Sequence, residues 1–144
     1  MRFVKTIFLD YDGVCHPAHH QASERFNRAH LLDECLRPFA RSSVEVVVSS
    51  SWRFNYSPIE LKTFLPKGLA NLVVNVTGDA VIGRHARFKE IQAYVRAYGI
   101  KDYKIIDDSK FEFPEADGGA LILCNPSIGI DTEQIKQLEA WLRL

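Results

Sequence analysis

The sequence predicts a three-layer α/β domain in which helices cover both faces of a central parallel sheet of about five strands. Short apolar runs rich in β-branched and aromatic residues alternate with longer segments whose apolar residues recur at helical spacing. Such runs are typical of strands that are buried on both faces of a parallel sheet. Because no internal repeat or low-complexity segment interrupts the alternation, we expect one domain spanning residues 1–144.

The predicted elements follow from apolar spacing and from capping residues. The strands are expected at residues 3–9, 44–48, 72–76, 103–106 and 120–124, and the helices near 27–38, 58–65, 88–98 and from 132 onward. Ser57 is followed by Pro58 and, three positions after the serine, by Glu60, which is the pattern of a capping box with proline in the first helical position. Gly99 is expected to end the third helix.

Charge and cysteine content narrow the class of protein. Lys plus Arg and Asp plus Glu each number 18, so no net field recruits nucleic acid or an anionic membrane. Cys15, Cys35 and Cys124 lie far apart and lack metal-ligand spacing, which favours reduced thiols. The first strand leaves no room for a cleavable signal, and no apolar run approaches a membrane span. We therefore expect a cytoplasmic protein that does not bind a membrane.

Two predicted strands end in acidic pairs. Asp10 and Asp12 follow the first strand, and Asp107 and Asp108 follow the fourth. Folds of this class bind ligands in the crevice outside the carboxyl ends of their strands. Neighbouring carboxylates raise the pKa of one of them unless a cation lies between, so the pairs predict a shared proton or a hard metal such as Mg²⁺. The alternative is an ordinary turn, in which Asp and Gly are common.

A hydroxyl cluster and a basic cluster accompany the acids. Residues 49–53, Ser-Ser-Ser-Trp-Arg, follow the second strand, while Arg84, Arg87 and Lys89 gather near the start of the third helix. Cations there oppose the helix dipole, so an anionic ligand such as phosphate is one explanation and a solvated basic face is the other.

The loop at residues 15–23 contains three histidines. We expect it to be exposed beside the carboxylates, since it has no apolar periodicity. A transition-metal site is not predicted, because such sites draw ligands from a rigid framework and this loop has only Pro17 to stiffen it.

These features together resemble the haloacid dehalogenase-like (HAD) superfamily in their order and in their positions at strand ends. Within it, residues 8–14, 48–53, 87–91 and 105–108 look like the small HAD domains associated with Swiss Army knife RNA repair proteins. The resemblance implies a Rossmann-like sheet with the first strand central, so that Asp10, Ser49 and Asp107 converge at one edge. It also implies a capless member, because neither interval in which the superfamily inserts a cap is long enough here.

The resemblance implies a Mg²⁺-dependent phosphomonoester hydrolase. Asp10 would be the nucleophile that forms an aspartyl-phosphate, and Asp12 the general acid and base. Mg²⁺ would be held by Asp10, Asp107 and the backbone carbonyl of Asp12. The implied substrate is a phosphorylated small molecule or a nucleic-acid end.

Further roles are implied around these acids. The residues implied in phosphate binding are Ser49, Ser50, Arg87 and Lys89, with Arg87 preferred to Lys89 as the main cation. Asp108 would orient Asp107 from behind. Trp52 and Arg53 are candidate substrate contacts, although Trp52 could equally pack beneath the loop.

Two other functions fit parts of the pattern. A phosphate-binding or regulatory module with little catalysis would keep the fold, but it has no need of the proton donor Asp12. A phosphorylated receiver domain would carry a separate Asp directly after the third strand, whereas Asp79 comes late.

Overall fold

Five short apolar segments pair side by side into an all-parallel sheet in the computed structural model, which describes residues 4–114 and 119–144. The strands are β1 (Lys5–Leu9), β2 (Val44–Val48), β3 (Val73–Val76), β4 (Asp102–Asp107) and β5 (Leu121–Leu123). Their order is β3-β2-β1-β4-β5, so the first strand is central. The predicted five-stranded parallel sheet is confirmed; residue 3 of the first predicted strand lies outside the described residues.

Within residues 4–114 and 119–144, five α-helices cover the two faces of this sheet. They are α1 (Ala29–Leu36), α2 (Pro58–Thr63), α3 (Lys67–Leu72), α4 (Ala86–Tyr98) and α5 (Thr132–Leu142). Helices α1, α2, α3 and α5 share one apolar core with Ile7 and Leu9, whereas α4 packs against Phe8 on the other face. This split follows from the alternation of side chains along β1 and completes the predicted three layers.

Helix α3 was not predicted, and Leu72 is its last residue rather than the first residue of a strand. The helix is only six residues long, so it shows little periodicity in the sequence. Its start is stabilised from outside, because the Asp33 carboxylate of α1 accepts a hydrogen bond from the backbone N–H of Leu69 at 2.8 Å. A cap supplied by a distant side chain leaves no local signal.

The other predicted helix ends lie within two residues of those in the structure. Capping boxes are present at Ser57 and Asp131, and Gly99 ends α4 with a φ of 63°. None of the helices in the described residues combines the length and apolar character that crossing a membrane requires. The loops at 10–28 and 77–85, where a cap would be inserted, contain only a single 3₁₀ turn at Ala22–Glu24.

Candidate active site

Polar residues form one row across the carboxyl end of the sheet. The last row of paired apolar residues joins Leu9 to Val48 and to Ile106. The next row contains Asp10, Ser49 and Asp107, and Thr77 takes the same position after β3. Residues in register on parallel strands project from the same face, so the fold brings Asp10, Ser49 and Asp107 together, as the resemblance implies.

Three carboxylates gather at the centre of this row. Oxygen atoms of Asp10, Asp107 and Asp108 lie within 4.8 Å of one another. Arg87, in the first turn of α4, places Nη1 3.1 Å from Asp10 Oδ2 and 2.8 Å from Asp107 Oδ2. Asp10 is 4% exposed and Asp107 is fully buried. A single guanidinium therefore contacts both of the deeply buried acids.

The charge balance of this cluster is incomplete. Burial, reinforced by the charge of Asp107, raises the pKa of Asp10 well above its usual value, although Arg87 acts in the opposite direction. Burial and the same neighbour raise the pKa of Asp108 to about 6. Three carboxylates facing one cation leave surplus negative charge, and oxygen ligands of this kind suit Mg²⁺. The residues thus fit the metal that the sequence implies, and Asp108 joins the group directly.

The two acidic loops touch at Gly13. This glycine has a φ of 77°, and a Cβ built on it would clash with the side chain of Asp108. Any other residue would meet both a backbone penalty and a steric clash. The glycine therefore lets the loop after β1 approach the loop after β4.

Asp12 is oriented by two N–H donors. Its Oδ1 lies 2.8 Å from His16 Nε2, and its Oδ2 accepts a hydrogen bond from Trp52 Nε1 at 3.0 Å. The backbone N–H of Phe26 donates to His16 Nδ1 at 3.0 Å, so the single ring proton of neutral His16 lies on Nε2. Burial lowers the pKa of His16, which favours this neutral form. The side chain of Asp12 remains 44% exposed, so it can still reach a substrate.

The expectation of an exposed histidine loop was wrong at its start, because Cys15 and His16 are fully buried. His16, Asp12 and His20 have potential ligand atoms within 4.8 Å of one another. Both nitrogens of His16 are already engaged, and His20 Nδ1 lies 3.0 Å from the carbonyl of Pro17. A metal here would have to displace these contacts. The only local signal for His16 is its position four residues after Asp12.

Trp52 is the centre of an aromatic cluster beside Asp12. Its ring centroid lies 5.3 to 5.7 Å from the rings of Tyr11, His16, Phe26, Tyr56 and Phe64. The guanidinium of Arg25 lies over the same ring at 5.3 Å. This packing holds the indole N–H toward the carboxylate, which agrees with the alternative in which Trp52 packs beneath the loop.

The side chain of Arg53 is nearly buried, with only 3% of it exposed. Its guanidinium donates to the carbonyls of Ser49 and Ser50 at 2.9 and 3.1 Å and to that of Gly78 at 3.1 Å. It also forms an ion pair of 2.8 Å with the buried carboxylate of Glu90. Arg53 therefore fixes the end of β2 to the loop after β3 and to α4.

The hydroxyls after β2 differ in their partners. Ser50 Oγ accepts a hydrogen bond from the backbone N–H of Trp52 at 3.2 Å. Ser49 Oγ and Thr77 Oγ1 are buried without a hydrogen-bond partner in the described part of the chain. A buried hydroxyl normally has a partner, so both invite a ligand with polar atoms. Thr77 was missed in the sequence, although it directly follows a predicted strand.

Lys89 lies apart from the acid cluster. It is exposed and follows Arg87 by two residues, which places it about 200° around the helix. Of the two basic residues considered for the site, Arg87 is the one in contact with the acids.

One protein family accounts for this arrangement. The sequence profile described as HAD domain in Swiss Army Knife RNA repair proteins matches residues 6–135. The chain belongs to this family. Comparisons with curated proteins and with solved structures gave no significant match. Membership indicates a phosphatase-type HAD domain, whose acidic group could bind a metal.

The ion pairs of Arg87 give a first prediction for this HAD domain. Replacing Arg87 with methionine should lower the melting temperature in EDTA, because two buried carboxylates lose their cation. Removing one partner of a buried pair costs about 3 kcal/mol. Added Mg²⁺ should raise the melting temperature of R87M more than that of the wild type, since metal and arginine neutralise the same acids.

The matched control is R84M, which changes an exposed arginine just before α4. It should leave both the melting temperature and its response to Mg²⁺ unchanged. If Mg²⁺ raises the melting temperatures of R87M and wild type equally, Mg²⁺ and Arg87 do not neutralise the same acids.

Proposed function

We propose that the chain is a Mg²⁺-dependent phosphomonoester hydrolase that acts through an aspartyl-phosphate on Asp10. The observation that carries this proposal is the row in which buried Asp10 lies between Asp107 and Ser49, with Arg87 in contact. It combines a nucleophile, a cation and a hydroxyl without a partner at the carboxyl edge of one sheet. Such an edge is where α/β folds bind their ligands.

Asp10 and Asp12 divide the chemistry between them. A carboxylate oxygen of Asp10 attacks phosphorus, and the bond from phosphorus to the leaving oxygen breaks. Asp12 gives a proton to that leaving oxygen and then takes one from the water that hydrolyses the aspartyl-phosphate. His16 and Trp52 orient Asp12 for both transfers by donating to its two oxygens.

Charge neutralisation is required for this attack, because phosphate and carboxylate are both anionic. When bound by Asp10, Asp107 and the main-chain carbonyl of Asp12, Mg²⁺ would supply the positive charge that lets them approach. The side chain of Asp12 is held by His16 and Trp52, which supports a role for its carbonyl rather than its carboxylate as the ligand. Asp108 is a further candidate ligand, because it lies in the same acidic group.

The phosphoryl oxygens would be held mainly by Ser49 and Arg87. The Ser49 hydroxyl has no partner in the described residues and is buried beside Asp10. Ser50 is proposed to contribute less through its side chain, since its hydroxyl already caps the 3₁₀ turn at Ser51–Phe54. Lys89 is proposed only as a peripheral attraction for anions, and Arg53 as a residue that positions Ser49.

We propose nucleotides or phosphorylated nucleic-acid ends as substrates, because the family is described from RNA repair proteins. One observation favours a catalytically weak phosphate-binding module instead. Arg87 contacts both Asp10 and Asp107, so it competes for the oxygens that catalysis needs. Turnover separates the two functions.

The test is phosphate release from a panel of phosphomonoesters in Mg²⁺ and in excess EDTA. The panel contains mononucleotides, sugar phosphates and oligonucleotides phosphorylated at the 3′ or 5′ end. We expect release in Mg²⁺, its loss in EDTA and the highest kcat/KM among the nucleotide substrates. Binding of phosphate without release from any ester would favour the module, and full activity in EDTA would exclude the proposed mechanism.

A further inference from the structure

A half-open cavity of about 630 Å³ adjoins the acidic row. It lies beyond the carboxyl ends of β4 and β5, between the 3₁₀ turn at Lys110–Glu112 and the loop that follows β5. Asp108 forms part of its wall and also belongs to the acidic group with Asp10 and Asp107. Asp108 therefore joins the cavity to the acidic group beside which the phosphoryl group is proposed to bind. Its volume is in the range of small-ligand sites.

The wall of this cavity combines apolar and polar side chains. Phe111, Leu123 and Pro126 supply apolar surface, while Lys110 and Asn125 supply polar atoms. Phe111 is 81% exposed and Leu123 is 39% exposed. The wall of the cavity therefore offers a large aromatic ring that a ligand can reach.

The geometry favours a flat aromatic ligand over an alkyl or sugar group. The ammonium group of Lys110 lies 5.5 Å from the centroid of Phe111, so cation and ring form one platform. A nucleobase can stack on such a ring, and the ammonium can attract the phosphate attached to it. Trp52, a candidate substrate contact in the sequence, is already packed against Tyr56 and Phe64 in the aromatic cluster beside Asp12.

We propose that this cavity is the leaving-group subsite and that it binds the nucleobase of a nucleoside monophosphate by stacking on Phe111. The proposal rests on the proposed phosphatase function, because it assumes that the phosphate occupies the row at Asp10 and Ser49. Phe111 would then determine specificity, although it belongs neither to the acidic group nor to the basic residues of the site. The enzyme would then select its substrate by the base as well as by the phosphate.

The test measures binding separately from turnover. Calorimetry on D10N in Mg²⁺ compares adenosine monophosphate with ribose 5-phosphate, which carries the phosphate and sugar but no base. Loss of one stacking partner weakens base binding by about 5- to 150-fold. Adding F111A to D10N should weaken the binding of adenosine monophosphate by about 5- to 10-fold, near the lower end because the site is open. The binding of ribose 5-phosphate should stay nearly unchanged.

Two variants serve as controls. F111Y keeps the aromatic ring, so D10N with F111Y should bind adenosine monophosphate with the same affinity as D10N alone. Y98A removes an exposed aromatic ring that lines a different cavity, near the start of β4, and should not alter either affinity.

The possible outcomes test the base-binding subsite and the phosphatase function separately. Equal weakening of both ligands by F111A, no weakening of either, or no preference of D10N for the ligand with a base would overturn the subsite. If the base preference depends on Phe111 while wild-type enzyme releases no phosphate from any ester, the subsite stands and the proposed phosphatase function fails.

Discussion

Replacing Asp10 with asparagine is expected to reduce Mg²⁺-dependent phosphate release by at least about 10³-fold, because an amide cannot form the aspartyl-phosphate. Phosphate release from the best substrate of the panel measures it. In parallel, brief incubation with a ³²P-labelled substrate followed by acid quench should label the wild-type protein but not D10N.

Loss of folding would be a trivial explanation for such a result, and the structure argues against it. Asp10 lies in a buried group of three carboxylates, so removing one negative charge relieves repulsion. The melting temperature of D10N should therefore not fall. D79N, which changes an exposed Asp in the loop after β3, is the matched control and should keep full activity. Turnover of D10N at the wild-type rate would contradict a mechanism through an aspartyl-phosphate on Asp10.

Replacing Asp12 with asparagine is expected to lower kcat by about 10²- to 10⁴-fold, which is the usual contribution of a positioned acid and base. Mg²⁺ binding should be retained, since the proposed ligand is the main-chain carbonyl. Titration of Mg²⁺ by its effect on the melting temperature measures that affinity in D12N and wild type. Weakened Mg²⁺ binding together with preserved turnover would assign Asp12 the wrong role.

The leaving group provides a sharper test of the proton transfer. An ester of p-nitrophenol needs little protonation as it departs, whereas a sugar alcohol needs much more. D12N should therefore impair the release of phosphate from sugar phosphates more than from p-nitrophenyl phosphate. An equal loss on both substrates would indicate that Asp12 acts in positioning rather than as the acid.

The strands and the acids at their carboxyl ends were predictable because the sequence signals for them are local. A strand buried on both faces needs a continuous apolar run, and the acids at Asp10 and Asp107 end two such runs. The resemblance to the HAD superfamily implied that the first strand lies between the second and the fourth, and the parallel register then brings these acids together with Ser49. Helix α3 could not be predicted in the same way, because its cap is Asp33 on another helix.

The support of the site was harder to predict because it depends on distant contacts. His16 follows Asp12 by four residues, but its burial depends on packing against Phe26 and Trp52. Arg53 was expected at the substrate, yet its partners are carbonyls and Glu90, thirty-seven positions away in the chain. Neither contact has a spacing rule in the sequence, so the roles of such residues become clear only when the fold is known.

The contact between Phe26 and His16 determines where protons can travel. His16 Nδ1 accepts a hydrogen bond from the backbone N–H of Phe26, and the only ring proton points from Nε2 toward Asp12. No ring nitrogen of His16 is therefore free to take up another proton and pass it to Asp12. The imidazole is fully buried, so it has no direct exchange with bulk water either. In the proposed mechanism, Asp12 would therefore regain its proton through its own exposed side, so solvent and not a histidine relay would supply it.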